Sequence, residues 1–276
     1  MRRILAPGVV VLVLAAAPAA AAPPASQPAS QPAASRPFLP APASSPRARP
    51  EGPLWVDWRV DLPVTGVLGV GVVAETLAES KIGPHSCRWC EPNLNAFDAA
   101  GRHAKWGSHL SVASGISDVT GFVLTPGLGL GLVTLGAVRQ GGWWQAAADD
   151  LVILEAAAVE AALVTGLKYA VARKRPYVRD AAAGAPTGGE DNLSFPSGHT
   201  SLAFCMATAA GTVATMRGYR EAPYVWGFGM GLATLTGYLR MAADKHYASD
   251  VIVGAAIGSL VGWAVPYLWH RRWRRR

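Results

Sequence analysis

The segment from Val251 to Trp269 most constrains the fold, because it reads VIVGAAIGSLVGWAVPYLW and contains no charged residue. A helix of about 20 apolar residues crosses the core of a bilayer, so this segment is long enough to span one. Gly254, Gly258 and Gly262 recur every four residues and therefore share one face of the helix. Small residues at this spacing let two helices approach closely. The segment thus predicts a membrane-spanning helix that packs tightly against a neighbour.

Five further apolar segments precede this helix, and none of them alternates in the manner of a strand. Only 16% of the residues are charged, whereas typical soluble domains have about 25%. By length, at least the last four of the six segments could span a bilayer. We therefore predict an all-α fold, a membrane-embedded bundle of five to six helices. The five segments are Val64–Leu77, Leu110–Val138, Ala146–Val171, Ser197–Met216 and Val225–Met241.

The segment Ala146–Val171 leaves an alternative open, because it carries four acidic residues: Asp149, Asp150, Glu155 and Glu160. In a membrane-spanning helix these carboxylates would have to face the interior of the bundle. Alternatively, the segment is a soluble helix in a periplasmic all-α domain.

The chain begins with the features of an exported protein. Residues 1–22 combine a basic start, an apolar stretch and a run of alanines, as in a signal peptide or N-terminal leader. Residues 23–54 are rich in Pro, Ala and Ser and predict an extended linker. We assign residues 55–145 to N-terminal helices and a CxxC loop, residues 146–270 to a catalytic core and residues 271–276 to a basic tail.

Basic residues predict the orientation of the chain in the membrane. Arg217, Arg220 and the C-terminal HRRWRRR are typical of cytoplasmic flanks. The loops that hold His199 and His246 would then face outwards, to the periplasmic side of a bacterial inner membrane. An exported linker also lies outside, and this arrangement requires five crossings. We therefore expect that the short segment Val64–Leu77 does not fully span the membrane.

Cys87 and Cys90 form the motif CRWC, for which three interpretations remain open. The pair could form a disulfide in an oxidising compartment, remain as free structural thiols, or belong to a metal or redox site. His85 and His103 are nearby, but their spacing matches no standard zinc finger.

Two of three polar motifs lie at the ends of neighbouring apolar segments. Lys168 and Arg175 are seven residues apart, about two helical turns, so they share a helix face near the end that Pro176 indicates. The motif PSGH follows, in which Ser197 could cap the next helix and Gly198 permits close approach to the backbone. Taken alone, the first motif could be a charged membrane flank and the second an ordinary helix start.

The third motif contains Arg240, His246 and Asp250 at the start of the last segment. His246 and Asp250 are four residues apart, so their side chains can meet on a helix. A carboxylate beside an imidazole fixes its tautomer and raises its basicity, although an ordinary ion pair at a helix start would look the same. All three motifs fall on one predicted membrane face. Together they offer cations, a helix N-terminus and two histidines, which suit a phosphoryl group.

The pattern K-x6-RP, PSGH and R-x5-H-x3-D, over roughly Ala146 to Trp269, resembles the phosphatidic acid phosphatase type 2/haloperoxidase superfamily. The resemblance implies a phosphatidic acid phosphatase type 2-like core and a lipid phosphatase. His246 would attack phosphorus, Asp250 would orient His246, and His199 would protonate the leaving oxygen and then activate water. The residues implied in phosphate binding are Lys168, Arg175, Ser197, Gly198 and Arg240. One departure is visible, because Leu239 occupies a position where members of the family usually have serine.

The resemblance implies no metal or other cofactor, and a phosphorylated lipid and membrane lipids as partners rather than nucleic acid. A periplasmic non-specific acid phosphatase is the main alternative. A vanadium haloperoxidase and a non-enzymatic scaffold are the remaining ones. Three further cations beside the first motif could attract an anionic head group or could simply flank the helix: Arg173, Lys174 and Arg179.

Overall fold

The computed structural model describes residues 53–91, 93–180 and 188–272, with all their side chains except that of Ser80. The predicted leader, nearly all of the predicted linker and the last four residues of the basic tail lie outside this part of the chain. Within it, the regular structure is helical apart from two isolated β-bridges. The predicted all-α fold is therefore confirmed.

Six long helical segments form the bundle in the described residues. They are α1 (Asp61–Ile82), α3 (Leu110–Val119) with α4 (Thr125–Gly141), α5 (Trp143–Val171), α7 (Gly198–Arg217), α8 (Ala222–Ala242) and α9 (Ala248–Ala264). Shorter elements lie in the connecting loops: α2 (Ala96–Gly101), α6 (Pro176–Arg179) and the 3₁₀ turns Arg102–Ala104 and Gly189–Asn192. Two π-helical turns complete the bundle: Thr120–Leu124 joins α3 to α4, and Val265–Trp269 extends α9.

Helix α7 lies at the centre of the bundle and packs against α4, α5, α8 and α9. The predicted glycine face of α9 makes the closest of these contacts. A Cβ atom added to Gly254 would lie 2.7 Å from the carbonyl oxygen of Ser197, and one added to Gly258 would overlap that of Ser201. Because only glycine lacks this atom, the two backbones can meet directly. The predicted close packing of this helix is therefore confirmed.

The π-helical turn between α3 and α4 has a local cause in Pro126. Proline has no N–H to donate to the carbonyl four residues earlier, and its ring clashes with that carbonyl. The chain widens by one residue per turn, and the Thr125 hydroxyl donates a hydrogen bond of 2.8 Å to the carbonyl of Thr120. Phe122, inside this turn, lies with its ring centroid 4.4 Å from that of His199.

The segment Val64–Leu77, which we expected not to span the membrane fully, lies within α1, a helix of 22 residues that is long and apolar enough to cross one. Its first residue, Asp61, lies 3.9 Å from the Nδ1 atom of His270 at the end of the bundle where α9 finishes. Near its other end, Glu75 accepts a hydrogen bond of 2.6 Å from Tyr169. Helix α1 therefore runs beside α5 towards the catalytic motifs.

The start of α1 does not lie where the predicted five-crossing topology would place it. Leu54, the last residue of the predicted linker, forms an antiparallel bridge with Arg271. Both residues lie at the end of the bundle opposite to His246, because α9 and its π-helical turn separate them from that residue. The last described residue of the predicted linker, Leu54, therefore lies at the end remote from the three polar motifs, and not beside them.

In the described part of the chain, three stretches have both the length and the composition to cross a membrane: Asp61–Glu79, Leu110–Gly141 and Ala248–Trp269. Of the four segments that we expected to be long enough, only the last also meets the compositional criterion. Helices α5, α7 and α8 have sufficient length with 29, 20 and 21 residues. Helix α7 is enclosed by its neighbours, so it does not need an apolar surface for lipid.

We predict that Gly258→Ala destabilises the protein, because the new methyl group overlaps the Ser201 carbonyl. Overpacking of this kind costs about 1–3 kcal/mol. The measurement is the thermal unfolding midpoint in detergent. The control is Gly231→Ala on α8, where a Cβ atom would have nothing within 4 Å. An unfolding midpoint of Gly258→Ala at or above that of Gly231→Ala would contradict the close contact.

Candidate active site

The three predicted motifs meet around a cavity of about 390 Å³ at one end of the bundle. Lys168 comes from the last turn of α5, His199 from the first turn of α7 and Arg240 from the last turn of α8. His246 follows in the loop before α9. The predicted site residues that line the cavity are Lys168, Arg175, Gly198, His199, Arg240 and His246.

The cations of this cavity are held by buried contacts. Arg175 is 5% exposed, and its Nε atom donates a hydrogen bond of 2.9 Å to the carbonyl of Glu190. Arg240 is 4% exposed, and its Nη1 atom donates to Ser117 at 3.1 Å. Within the described residues, the Nε atom of Arg240 has no hydrogen-bond partner. A buried unpaired donor is costly, and an oxyanion in the cavity would satisfy it.

Lys245 is a further cation at the cavity that the sequence reasoning missed. Its ammonium group lies 4.8 Å from the ring centroid of Tyr177. Burial and then the positive charge of Arg175 lower the pKa of Lys245 from its ordinary value. Its position directly before His246 was the available signal.

The cavity also has an acidic side that the sequence reasoning did not anticipate. Carboxylates from α1, α3, α5 and the loop before α7 contribute to its lining. The cavity is therefore lined by both positive and negative side chains, and most of the positive ones belong to the three motifs. The acidic residues are Glu75, Glu79, Asp118, Glu160 and Glu190.

The start of α7 leaves space for a charged group close to its backbone. Ser197 occupies the predicted N-cap position, but its hydroxyl pairs with that of Thr200 at 2.9 Å and not with a backbone N–H. A Cβ atom on Gly198 would lie 3.2 Å from the Nζ atom of Lys168. Glycine thus leaves room for this ammonium group beside the unpaired N–H groups of the first turn.

His199 has a partner that the motifs did not predict. Its Nε2 atom lies 2.8 Å from a carboxylate oxygen of Asp118 at the end of α3. The same oxygen lies 3.4 Å from the Nη1 atom of Arg240. Asp118 could have been found, since it is the only charged residue between Leu110 and Val138. An ionisable residue inside an apolar segment commonly marks a functional site.

His246 is oriented by a backbone carbonyl. Its Nδ1–H donates a hydrogen bond of 2.6 Å to the carbonyl oxygen of Ser194, whereas the nearest Asp250 oxygen lies 3.8 Å away. The expected direct bond between the carboxylate and the imidazole is therefore replaced by a peptide carbonyl. This bond still fixes the tautomer and leaves Nε2 with its lone pair. Burial and then the charges of Arg175 and Arg240 hold the pKa of His246 well below its usual value, so the neutral ring predominates.

Asp250 acts on His246 through the loop that carries Ser194. One of its oxygens accepts hydrogen bonds from the Ser194 hydroxyl at 2.6 Å and from the backbone N–H of Tyr247 at 2.9 Å. Its other oxygen lies 2.5 Å from the Nη1 atom of Arg173. Asp250 thus ties together the loops on both sides of His246.

Arg173 is not one of the surface cations that we expected to attract a head group or to flank the helix. It is 1% exposed, and its guanidinium group also bonds to Asp98 at 2.6 Å and to Glu91 at 3.1 Å. Burial opposes its charged form, but Asp250 and Asp98 outweigh this effect and raise the pKa of Arg173. No spacing rule predicts this contact, because Asp98 lies far away in the sequence.

Cys87 and Cys90 form a disulfide, one of the three interpretations that the sequence left open. The loop lies at the catalytic end, because the backbone N–H of Arg88 donates to the carbonyl of Ala172.

Among the described residues, one group of side chains has the composition and spacing of metal ligands: Asp61, Glu155 and His270 lie together at the opposite end of the bundle. There His270 instead bonds to the carbonyl of Trp55 and to the Glu155 carboxylate.

Comparisons with known proteins agree with the motif pattern. Residues 151–274 match the family model of the PAP2 superfamily. The lipid A 1-phosphatase of Porphyromonas gingivalis is 35% identical over 100 residues, which are 36% of this chain and 19% of that protein. The matched part thus spans about a fifth of this relative.

Two solved structures are similar to this chain. One is described as the first transmembrane PAP2 type phosphatidylglycerolphosphate phosphatase, from Bacillus subtilis, with 19% identity and a TM-score of 0.45. The match covers 74% of this chain and 93% of that one. The other is Aquifex aeolicus LpxE, with 23% identity, a TM-score of 0.44 and coverage of 63% and 96%. The part of the chain that matches the PAP2 superfamily, residues 151–274, contains all three motifs that meet around the cavity.

Proposed function

We propose that this protein is a metal-independent phosphatase that hydrolyses a lipid phosphate or pyrophosphate monoester through a phosphohistidine at His246. The observation that carries the proposal is the convergence of two histidines and buried cations on one cavity. Phosphoryl transfer depends mainly on positioning and on stabilising the charge of the transferred group. The cavity offers both.

The cations and the start of α7 would hold the phosphoryl oxygens. Lys168 lies beside Gly198, so one oxygen could bind both the ammonium group and the first N–H groups of the helix. Arg240 offers its unpaired Nε–H, and Arg175 also lines the cavity and offers its guanidinium group. Inside a partly enclosed cavity such charges act more strongly than in water.

The orientation of His246 supports its role as the nucleophile. Nδ1 is occupied as a donor to Ser194, so Nε2 is the atom that can attack phosphorus. The depressed pKa keeps this atom unprotonated at neutral pH. When Nε2 forms its bond to phosphorus, the ring becomes positively charged. The carbonyl of Ser194 stabilises this charge directly, and the Asp250 carboxylate does so from 3.8 Å.

The pair of Asp118 and His199 supports general acid and base catalysis. Burial and then the charge of Arg240 hold the pKa of the His199 imidazole well below its usual value, whereas the adjacent Asp118 carboxylate favours the imidazolium form. The negative charge of a bound phosphate would add to the effect of Asp118, and the protonated His199 would then donate to the leaving oxygen. After the alcohol leaves, the same imidazole would remove a proton from water, which attacks the phosphohistidine. Free phosphate and neutral His246 are then regenerated.

A lipid substrate is supported by the apolar surface around the site. In the window Asp61–Glu79 only 6% of the residues are buried, and this helix contributes Glu75 and Glu79 to the cavity. A lipid tail could therefore lie beside α1 while its phosphate enters the cavity. The relative from Porphyromonas gingivalis is a lipid A 1-phosphatase, which supports the same substrate class.

Two observations support a catalytic end that faces the periplasm across a bacterial inner membrane. Arg217, Arg220 and Arg271 lie at the opposite end, as basic residues do on the cytoplasmic side. The Cys87–Cys90 disulfide lies at the catalytic end, and disulfides persist in oxidising compartments.

We predict that His246→Ala lowers the hydrolysis of phosphatidic acid in mixed micelles by at least about 10³-fold, on the scale of a lost catalytic group. The reason is the loss of the attacking nitrogen. The measurement is phosphate release by detergent-purified protein, with the exposed His85→Ala as the control. Full activity of a folded His246→Ala variant would refute this role. Equal or better wild-type activity on p-nitrophenyl phosphate would favour a non-specific acid phosphatase.

We further predict that the loss of activity caused by His199→Gln or Asp118→Asn depends on the leaving group of the substrate. An alkyl phosphate needs protonation of its leaving oxygen, whereas p-nitrophenolate leaves without it. The variants should therefore lose roughly 10²-fold in kcat/KM on the alkyl ester and clearly less in kcat/KM on p-nitrophenyl phosphate. The ratio kcat/KM reports the formation of the phosphohistidine and not its hydrolysis, in which His199 acts with both esters. The measurement compares the two esters with each variant. An equal loss on both would assign Asp118 and His199 to phosphate binding instead.

A further inference from the structure

The CRWC loop is the sequence motif that the proposed mechanism leaves without a role. Trp89, between the two disulfide-bonded cysteines, is half-buried and does not line the cavity. Its ring lies against Arg173, with the guanidinium carbon 4.2 Å from the ring centroid. The ring centroid of Tyr247, next to His246, lies at the same distance of 4.2 Å from this guanidinium carbon. Arg173 thus contacts both the disulfide loop and the loop that carries His246.

The backbone of the CRWC loop also holds the chain on both sides of Arg173. The N–H of Arg88 donates to the carbonyl of Ala172 at 3.0 Å, and the N–H of Lys174 donates to the carbonyl of Trp89 at 3.4 Å. Ala172 has a φ of 47°, a left-handed conformation that non-glycine residues rarely adopt. The loop therefore supports a turn that would otherwise tend to relax.

Trp89 makes a further contact with the partners of Arg173. Its Nε1–H donates a hydrogen bond of 2.6 Å to one carboxylate oxygen of Glu91, and the other oxygen of Glu91 accepts from Arg173 at 3.1 Å. The indole ring also meets Phe195 edge to face, with centroids 5.4 Å apart. Phe195 follows Ser194, the residue whose carbonyl orients His246. Trp89 thus contacts Glu91, a partner of Arg173, and Phe195, the neighbour of Ser194.

Arg173 transmits this support to the nucleophile by two routes. Its guanidinium group bonds to Asp250, which accepts the hydroxyl proton of Ser194. Its own carbonyl accepts the backbone N–H of Ser194 at 3.0 Å. Ser194 in turn receives the Nδ1–H of His246. Displacement of Arg173 would therefore shift the acceptor that sets the direction of Nε2.

We propose that Trp89, held in place by the Cys87–Cys90 disulfide, is a positioning residue that acts through Arg173 and Ser194 to aim His246 at phosphorus. The inference rests on the proposed function, since it assigns His246 as the attacking group. Among the described residues, the hydrogen bonds and ring contacts of Trp89 go to none of the proposed phosphate-binding residues. Loss of Trp89 therefore lowers the rate of phosphoryl transfer and leaves the affinity for phosphate intact.

The test uses the full chain in detergent with Trp89→Ala, Trp89→Phe and the double variant Cys87→Ser/Cys90→Ser. Trp143→Ala serves as the control, because Trp143 is 74% exposed at the opposite end of the bundle. The readouts are kcat and KM on phosphatidic acid, and the inhibition constants of orthovanadate and inorganic phosphate. Vanadate can form a bond to Nε2 of His246, so its affinity depends on the orientation of the imidazole ring. The affinity for phosphate depends instead on the cations of the cavity.

We expect Trp89→Ala to lower kcat roughly tenfold, as small displacements of reacting groups do, with KM changed by less than about twofold. Vanadate affinity should fall by a similar factor while phosphate affinity stays constant. Trp89→Phe, which keeps an aromatic face over Arg173, should retain most of the activity. A thiol-free reductant should lower wild-type kcat to that of the double cysteine variant and should not affect that variant further.

Three results would overturn the inference: wild-type kcat in Trp89→Ala, an equal loss of vanadate and phosphate affinity, or no effect of reductant together with a fully active double cysteine variant. If Trp89→Ala fails to fold, the kcat of Trp89→Phe and the effect of the reductant on wild-type kcat still test the inference. A wild-type protein that hydrolyses no phosphate ester would contradict the proposed function. The ratio of vanadate to phosphate affinity would then still test the positioning of His246.

Discussion

The direct contact between the backbones of α7 and α9 is the constraint on which the rest of the site depends. His199 begins α7 and His246 precedes α9, so the distance between the two helices decides whether both imidazoles reach one phosphorus atom. The glycine face of α9 reduces this distance to the limit set by the Ser197 and Ser201 carbonyls. Packing of this kind needs no apolar side chains, and therefore works inside a membrane, where burial against lipid gives no driving force.

A second constraint is electrostatic. The buried carboxylate of Asp250 would be unstable without a counter-charge, and Arg173 supplies it from a loop rather than from the bundle. The same guanidinium group compensates Asp98, whose second oxygen accepts the N–H of Ser249 at the start of α9. The catalytic loop is therefore anchored outside the bundle by charges and aromatic rings. The cations proposed to bind phosphate are separate from these anchors, so that in the proposed mechanism positioning and binding depend on different residues.

Much of the bundle could be predicted from the sequence, because long apolar segments and a glycine repeat are local signals that survive folding. The cavity residues of the three motifs were found for the same reason, since their spacing places them at helix ends. Contacts between distant segments were not predictable in this way. Asp118 meets His199 only because a π-helical turn and α7 bring them together, and Arg173 meets Asp98 only through a loop. The full length of α1 was missed because its glycines and threonines weaken the hydropathy signal.

The central claim is that His246 carries the phosphoryl group during turnover, and the most direct measurement is to trap that group. The His199→Gln variant should slow hydrolysis of the intermediate more than its formation on p-nitrophenyl phosphate, which needs no proton for its leaving group. An alkaline quench followed by mass spectrometry of peptides would then find an acid-labile phosphate on His246. A stable intermediate on another residue, or none in a variant that still turns over, would contradict the account.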